Sequence, residues 1–351
     1  MSEAQQQDAA IDAATDDLPQ PAEVDIEGFT KLERFRGFKL HGYDRAWDHS
    51  TLRTPQRLEE FVWDPEFVLT MLIFWFSAKR KALKLIGHTG AGKTEGVLQW
   101  HAALNLPLLF IGANPRTEAQ QLVGMSMPSM QGSTWIDGPL VTAARYGHSI
   151  LIDEYNLIDP GEASGLNAFL EGKPYTIPET GETIVPAPGF RIFATMNPRT
   201  AGYRGRNQQD MANDARFFDF EVKYLAPAVE TPLVKKVLEG VFSQMPNKPD
   251  DVMLQKFADA YVETAQVIRN QYMGVNDTAA ALPCTMCTRT LLTWAETAAI
   301  ARALIPPNQS AVHWALRRVL SDRQSPEVRE ALHTIVTTTM GEPQEIASAS
   351  T

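Results

Sequence analysis

The stretch that decides the fold of this chain is GHTGAGKT, residues 87–94. It matches the pattern G-x-x-x-x-G-K-[ST], and it stands between a predicted strand and a predicted helix, as a phosphate-binding loop does. The glycines let backbone N–H groups face phosphate oxygens, and the helix N-terminus adds partial positive charge. Lys93 would then reach the β- and γ-phosphates of a nucleotide, and the Thr94 hydroxyl would face Mg²⁺. The candidate nucleotide-binding residues here are Gly87, His88, Thr89, Gly90, Ala91, Gly92, Lys93, Thr94 and Glu95.

Short apolar strands alternate with helical stretches on both sides of this loop. The predicted strands are Ala82–Ile86, Leu108–Ile111, Ser149–Ile152, Phe190–Thr195 and Phe218–Val222. This alternation is typical of an α/β fold in which a mostly parallel, five-stranded sheet carries helices on both faces. After residue 227 the strands stop, and four or five helices separated by prolines predict a second, all-helical domain.

The chain is predicted to contain five segments. They are an acidic tail without ordered structure (1–28), an N-terminal extension (29–63), an α/β nucleotide-binding domain (64–225), a helical domain (226–339) and a flexible C-terminal tail (340–351). Asp64 followed by Pro65 predicts the start of a buried helix that runs to about residue 78.

The composition of the 351 residues excludes several classes of protein. Two cysteines are too few for a disulfide scaffold and fit a reducing compartment. Eight of the 42 acidic residues lie within 1–28, which contains no Lys or Arg, so the other 34 nearly balance the 32 basic residues. A broad basic surface for nucleic acid is therefore not expected. The start of the chain does not read as a signal peptide, and the longest apolar run, 67–76, is too short to span a membrane. We expect a cytoplasmic protein without a membrane partner.

Two acidic residues follow the predicted strand Ser149–Ile152. The carboxyl ends of strands in an open α/β sheet are where ligands bind. Asp153 would hold Mg²⁺ there through water, and Glu154 would polarise the water that attacks the γ-phosphate. Taken alone, the pair could equally cap a helix, but its spacing after the phosphate loop favours the functional interpretation.

A further polar residue, Asn197, follows the predicted strand Phe190–Thr195 at the same edge of the sheet. Its amide could bond both the attacking water and the γ-phosphate. Two arginines, Arg216 just before the last strand and Arg289 at the start of a helix of the second domain, would be ordinary surface charges if they stood alone.

Together these residues resemble the AAA+ ATPases: phosphate loop, Asp-Glu strand, sensor asparagine, arginine finger, then a helical lid with a second sensor arginine. Within that class the chain is similar to the MoxR-type group, which includes the cobaltochelatase ATPase subunit. The segments that carry this resemblance are 122–124, 135–140, 143–147, 153–156, 169–171, 190–191, 194–198 and 287–295.

The resemblance implies roles for the remaining residues and partners. It implies a hexameric ring in which Arg216 enters the neighbouring subunit's site, with Arg204 and Arg206 as rival fingers, while Arg289 contacts the nucleotide of its own subunit. It also implies ATP and Mg²⁺ as cofactors and a separate protein partner with a von Willebrand factor A domain. Such a machine would remodel or activate a protein, for example for metal insertion.

Two insertions indicate which kind of molecule such a ring would act on, its cargo. A helical pattern between Gly124 and Trp135 is interrupted by a Met-rich stretch, and residues 175–185 predict a β-hairpin. Both resemble pore-facing insertions of ring ATPases. Residues 117–144 contain no Lys or Arg, whereas a ring that pulls DNA would present cations there. A polypeptide cargo is therefore favoured over a restriction or replication motor.

The sequence disfavours two other interpretations. A monomeric P-loop kinase or nucleotide switch would not need Glu154 beside Asp153, nor Asn197 and Arg289. Cys284 and Cys287 lack the further ligands that tetrahedral zinc requires, and they are expected to be structural.

Overall fold

The computed structural model describes residues 18–49, 52–59, 61–129, 132–198, 211–245, 248–274, 282–306 and 308–341. The chain divides into two compact units. The first extends to Val222 without the segment His88–Ala91, and the second comprises that segment and the residues from Lys223 onward.

The strands all belong to the first unit. In chain order they are β1 (Pro21–Asp25), β2 (Lys39–Tyr43), β3 (Ala82–Ile86), β4 (Leu108–Gly112), β5 (Gly124–Ser129), β6 (Gly132–Asp137), β7 (Ser149–Asp153), β8 (Tyr175–Thr176), β9 (Thr183–Ile184), β10 (Arg191–Met196) and β11 (Phe218–Glu221). The helices of this unit are α1 (Ile26–Thr30), α2 (Pro65–Phe76), α3 (Lys93–Ala103), α4 (Ala119–Val123), α5 (Pro139–Tyr146), α6 (Pro160–Ser164), α7 (Asn167–Leu170) and α8 (Met211–Asp214).

Five of these strands form one parallel sheet in the order β11-β3-β10-β7-β4. Each predicted strand agrees with the observed one to within a residue at either end, so the predicted five-stranded α/β fold is confirmed. The predicted helix at Asp64-Pro65 is α2, and the Asp64 carboxylate caps it by accepting a hydrogen bond from the Phe67 N–H at 2.7 Å.

The register of the sheet brings three strand ends together. Met196 of β10 lies beside Ile86 of β3, and Ala194 lies beside Ile152 of β7. Because these strands are parallel, the residues that follow them meet at the same edge of the sheet.

Side chains of the central strands alternate between two buried clusters. Ile150 and Ile152 pack with Phe169 on one face, whereas Leu151, between them, packs with Trp100 on the other. Both faces of the sheet are therefore covered, as the apolar runs predict for parallel strands.

The described residues of the second unit contain five α-helices and no strand, which confirms the predicted helical domain. They are α9 (Pro227–Phe242), α10 (Asp251–Met273), α11 (Thr288–Leu304), α12 (Ala311–Val319) and α13 (Pro326–Met340).

An ion pair without solvent exposure connects three of these helices. Arg269 of α10 donates to both carboxylate oxygens of Glu230 in α9 at 2.7 and 2.8 Å, and its Nε donates to the backbone O of Met286. The Thr288 hydroxyl, at the start of α11, donates to the same carboxylate at 2.6 Å. Loss of one charged partner from such a buried pair typically costs about 3–5 kcal/mol.

Residues 21–28 are ordered, so the prediction of a structureless tail over 1–28 is wrong for this part. β1 pairs with β2 in antiparallel register, and Lys39 forms an ion pair with Glu23 at 3.1 Å. Ile26 and Phe29 are buried in the core beside the sheet. The acidic side chains of β1 face outward, so burial of the following apolar residues decides the structure. Residues 1–17 of the predicted tail lie outside the described residues.

The predicted helical pattern between Gly124 and Trp135 is also wrong, because β5 and β6 form an antiparallel hairpin. The apolar residues Met125 and Met127 recur with a period of two, which fits a strand. At Gly124 the backbone has φ +146°, and a Cβ there would lie 2.5 Å from the backbone O of Ile136. The second predicted hairpin is confirmed as β8 and β9.

In the parts of the chain that the structure describes, every helix is too short or too polar to cross a membrane.

We expect the buried His101 to make stability depend on pH. Its Nδ1 donates to the backbone O of Val97 at 2.8 Å, its Nε2 has no hydrogen-bond partner, and burial lowers its pKa to about 4. The unfolded chain takes up this proton near pH 6.5, whereas the folded chain takes it up only near pH 4. Stability from this group is therefore lost as the pH falls through that window, by about 2 kcal/mol at pH 5.

Urea unfolding at pH 7 and pH 5 measures this loss in the free energy of unfolding. Tryptophan fluorescence can follow the unfolding, and the Trp75 ring, 5.8 Å from His101, reports on the surroundings of this histidine. His101→Gln should flatten the pH dependence, and the exposed-site control His41→Gln should keep it. An unchanged slope in His101→Gln would contradict this account.

Candidate active site

The phosphate loop, residues 87–94, leaves β3 through a turn that requires glycine. A Cβ at Gly87 would lie 2.3 Å from the backbone O of Val222, so a larger residue would clash with the segment after β11. Gly92 has φ +95° and precedes the first residue of α3, and only glycine adopts this conformation without strain. The helix therefore begins directly at Lys93, with its first N–H groups available to an anion.

Lys93 is buried, and its ammonium group links the loop to the end of β10. Nζ donates to the backbone O of Gly87 at 2.7 Å and to Oδ1 of Asn197 at 2.9 Å. The structure thus brings together two residues that lie 104 positions apart and were both predicted to act on the γ-phosphate.

Asp153, the last residue of β7, accepts hydrogen bonds from two hydroxyl groups. Thr94 donates to its Oδ1 at 2.7 Å, and Thr195 of β10 donates to the same oxygen at 2.5 Å. Carboxylate and hydroxyl oxygens are suitable ligands for Mg²⁺, directly or through water. Thr94 and Asp153, the two residues predicted to bind the metal, therefore lie in contact, and both carry oxygen atoms that can be Mg²⁺ ligands.

Glu154 has a strained backbone. Its φ of +57° and ψ of +42° lie in the left-handed region, which costs a non-glycine residue about 1–2 kcal/mol. The Glu154 N–H donates to the Thr195 hydroxyl at 3.1 Å, and its carboxylate accepts hydrogen bonds from Asn197 Nδ2 at 2.9 and 3.2 Å. Residues in such conformations cluster at functional sites.

Thr195 is a site residue that the sequence analysis did not single out. It is 1% exposed, and it contacts both acidic residues that follow β7. Its signal in the sequence is weak, because a threonine near the end of a strand is common. Only the pairing of β10 with β7 shows that its hydroxyl faces Asp153.

The remaining predicted nucleotide-binding residues are placed as follows. Glu95 accepts a hydrogen bond from Gln99 one turn later in α3. His88, which belongs to the second unit, stacks on Tyr224, whose hydroxyl donates to the backbone O of Thr89 at 3.2 Å. Arg289 is exposed as the second residue of α11.

Arg216 follows α8, and its guanidinium contacts residues of its own chain. Nε donates to Glu171 Oε1 at 2.6 Å, and Nη1 donates to the backbone O of Ala212. Arg204 and Arg206, the alternative candidates for the arginine finger, lie outside the described residues.

Both cysteines are free thiols, and Cys287 caps α11 by accepting a hydrogen bond from the Thr290 N–H at 3.5 Å. Burial raises the pKa of the Cys284 thiol. Within the described segments, no group of three or more His, Cys, Asp or Glu residues could hold a metal.

The sheet order and the site define a P-loop nucleotide-binding domain of the AAA+ class. Consistent with this, the chain matches the AAA domain (dynein-related subfamily) over residues 82–217, which contains every predicted site residue except Arg289. Residues 252–339 match the CbbQ/NirQ/NorQ C-terminal domain. Together these two matches make up the signature of the MoxR-type AAA+ proteins.

Individual relatives show how far the similarity extends. An uncharacterized protein of Staphylococcus saprophyticus is 32% identical over 182 residues, which is 50% of this chain and 65% of that protein. Midasin of Giardia intestinalis is 27% identical over 205 residues, 58% of this chain but 4% of midasin. Among solved structures, NtrX from Brucella abortus has a TM-score of 0.48 and 16% identity over 79% of this chain and 62% of NtrX. The chain thus spans less than two thirds of the length of these relatives.

Glu154→Gln should bind ATP normally but hydrolyse it about 10²–10⁴-fold more slowly, because the amide cannot accept a proton from water. Steady-state ATPase rates together with the affinity for a fluorescent ATP analogue separate the two effects. Glu66→Gln, at an exposed carboxylate paired with Arg34, is the matched control and should behave as wild type. Loss of ATP binding in a folded Glu154→Gln protein would refute this role.

Proposed function

We propose that this chain is a Mg²⁺-dependent ring ATPase, resembling the cobaltochelatase ATPase subunit, that assembles as a hexamer and remodels or activates a protein partner. The observation that carries the proposal is the placement of Arg216. This arginine stands just before β11, an edge strand of the sheet, and it bonds to Glu171 and Ala212 rather than to Glu154 or Asn197. An arginine at the margin of the α/β unit suits a role in the site of a neighbouring subunit.

Hydrolysis then follows from the contacts at the strand edge. Glu154 accepts the proton of the attacking water, and Asn197 orients that carboxylate through its Nδ2. Lys93 exchanges its hydrogen bonds with Gly87 and Asn197 for bonds to the β- and γ-phosphates of ATP. A Mg²⁺ ion held by Thr94 and Asp153 would neutralise charge on the phosphate oxygens.

The arginine finger supplies the remaining stabilisation. A finger provided in trans is worth about 10³–10⁵ in rate, or roughly 4–7 kcal/mol. Assembly and turnover are therefore coupled: a subunit hydrolyses ATP at full rate only when its neighbour presents Arg216. Arg289, from the start of α11, would contact the nucleotide of its own subunit, as in related ring ATPases.

A polypeptide is the cargo that the exposed surface supports. The hairpin of β5 and β6 exposes Met125, Met127 and Ile136, each more than 40% accessible. Flexible, polarizable methionine side chains suit adaptable binding of apolar polypeptide. Residues 117–144 lack the cations that a nucleic acid would require. We further propose a separate partner with a von Willebrand factor A domain, with metal insertion into an enzyme as one outcome of the remodelling.

Arg216→Ala should lose at least about 10³-fold in ATPase rate while its affinity for ATP is kept. Mixed with an equal amount of Lys93→Ala, it should recover about a quarter of the wild-type rate in randomly assembled rings, because Lys93→Ala subunits still present an intact finger.

Arg317→Ala, at an arginine paired with Asp322 on the surface of the second unit, is the control and should keep the wild-type rate. Absence of recovery in the Arg216→Ala mixture, with co-assembly demonstrated by native mass spectrometry, would refute a finger that acts in trans.

A further inference from the structure

Arg216 is held at two points of its side chain. Its Nε donates to Glu171 at 2.6 Å, its Nη1 donates to the backbone O of Ala212, and the side chain is 25% exposed. Glu171 also forms an ion pair with Lys173, and the two cations lower the pKa of its carboxyl group, Lys173 more strongly than Arg216. The single negative charge of Glu171 is thus shared by two cations, Lys173 and Arg216. These three side chains together keep a net positive charge, which would attract a triphosphate.

The backbone that carries Arg216 is anchored by a buried asparagine. Asn213 is 2% exposed, and its backbone O accepts a hydrogen bond from the Arg216 N–H at 3.1 Å. Its Nδ2 donates to Oδ1 of Asn167 in α7 at 3.0 Å and to the backbone O of Ala163 in α6 at 3.3 Å. The amide of Asn213 therefore fixes the end of α8 against two other helices.

The same asparagine is bonded to the residue that follows Glu154. The Tyr155 hydroxyl donates to Asn213 Oδ1 at 3.1 Å, and the Tyr155 ring packs edge-on against Phe217 at 5.3 Å. Tyr155 has no solvent exposure, and this burial raises the pKa of its hydroxyl, which therefore stays a donor at neutral pH. A continuous set of buried contacts thus connects the strained Glu154 backbone to the segment that carries Arg216.

We propose that Glu171, Asn213 and Tyr155 are positioning residues for Arg216 and that they act on the ATP site of the neighbouring subunit rather than on their own. This inference rests on the proposed role of Arg216 as a finger in trans. A long arginine side chain must be ordered before it can stabilise a transition state, and misplacement by about 1 Å can cost 10²-fold in rate. Because Tyr155 follows Glu154, the arrangement also couples the nucleotide state of one subunit to the finger that it presents to the next.

Single and double variants test the proposal. Glu171→Ala should lower kcat about 10- to 100-fold with the KM for ATP unchanged, and Glu171→Gln, which keeps an oxygen acceptor for Nε, should restore most of the rate. Tyr155→Phe combined with Asn213→Leu removes the Tyr155–Asn213 hydrogen bond together with the bonds of Asn213 to Asn167 and Ala163, and it should show the same loss of kcat.

Glu27→Ala is the matched control. Glu27 forms an ion pair with Arg36 at 3.0 Å and is 26% exposed, close to the 27% of Glu171. The control should keep the wild-type kcat and KM.

Mixing with Lys93→Ala subunits separates an action in trans from an action in cis. If Glu171 and Asn213 act through the finger, Glu171→Ala and the double variant should recover to about the level of Arg216→Ala in the same mixture, about a quarter of the wild-type rate. If they support their own site, Lys93→Ala subunits cannot compensate, and the mixtures should show no recovery above the reduced rate of the variants.

The proposal is overturned if the variants have a wild-type kcat, or if they lose activity that Lys93→Ala subunits do not restore while Arg216→Ala is restored. A wild-type rate for Arg216→Ala itself would instead refute the proposed finger, so failure of the two proposals can be distinguished.

Discussion

The site depends on the hydrogen bonds that the carboxylate of Asp153 accepts. It accepts hydrogen bonds from Thr94, at the start of the helix after β3, and from Thr195 near the end of β10. One carboxylate therefore joins the ends of three neighbouring strands. The same Thr195 hydroxyl accepts a hydrogen bond from the Glu154 N–H, which holds this residue in its left-handed conformation. The Thr195 side chain thereby fixes both Asp153, the proposed metal-binding group, and Glu154, the proposed catalytic base, as preorganised catalysis requires.

Elements with a strong local signal could be predicted from the sequence. The five strands of the main sheet are continuous apolar runs bounded by glycine, proline or charge, and their limits agree with the structure. The phosphate loop and the Asp153-Glu154 pair were identified because their spacing reflects a fixed strand order. The hairpin of β5 and β6 was missed because its Met- and Ser-rich sequence has weak strand propensity. The ordered structure at residues 21–28 was missed because the acidic composition of residues 1–28 predicts disorder. The burial of Ile26, which opposes it, arises only in the tertiary fold.

Supporting residues of the site could not be predicted, because their roles arise from contacts between distant segments. Thr195 and Glu171 lie in segments that carry the family resemblance, and Asn213 lies in none of them, but each contacts a partner more than 40 positions away. Such contacts place Glu154 beside Asn197 at the strand ends, while Arg216 bonds to Glu171 and Ala212. In the proposed mechanism one subunit is an incomplete enzyme, and the neighbouring subunit of the ring completes its ATP site.

The most direct test is the ATPase rate per subunit as a function of protein concentration, with the mass of the particle measured by light scattering in the same samples, with and without ATP and Mg²⁺. We predict a nucleotide-promoted hexamer whose specific activity rises with assembly. A monomer that hydrolyses ATP at a rate independent of concentration would contradict it.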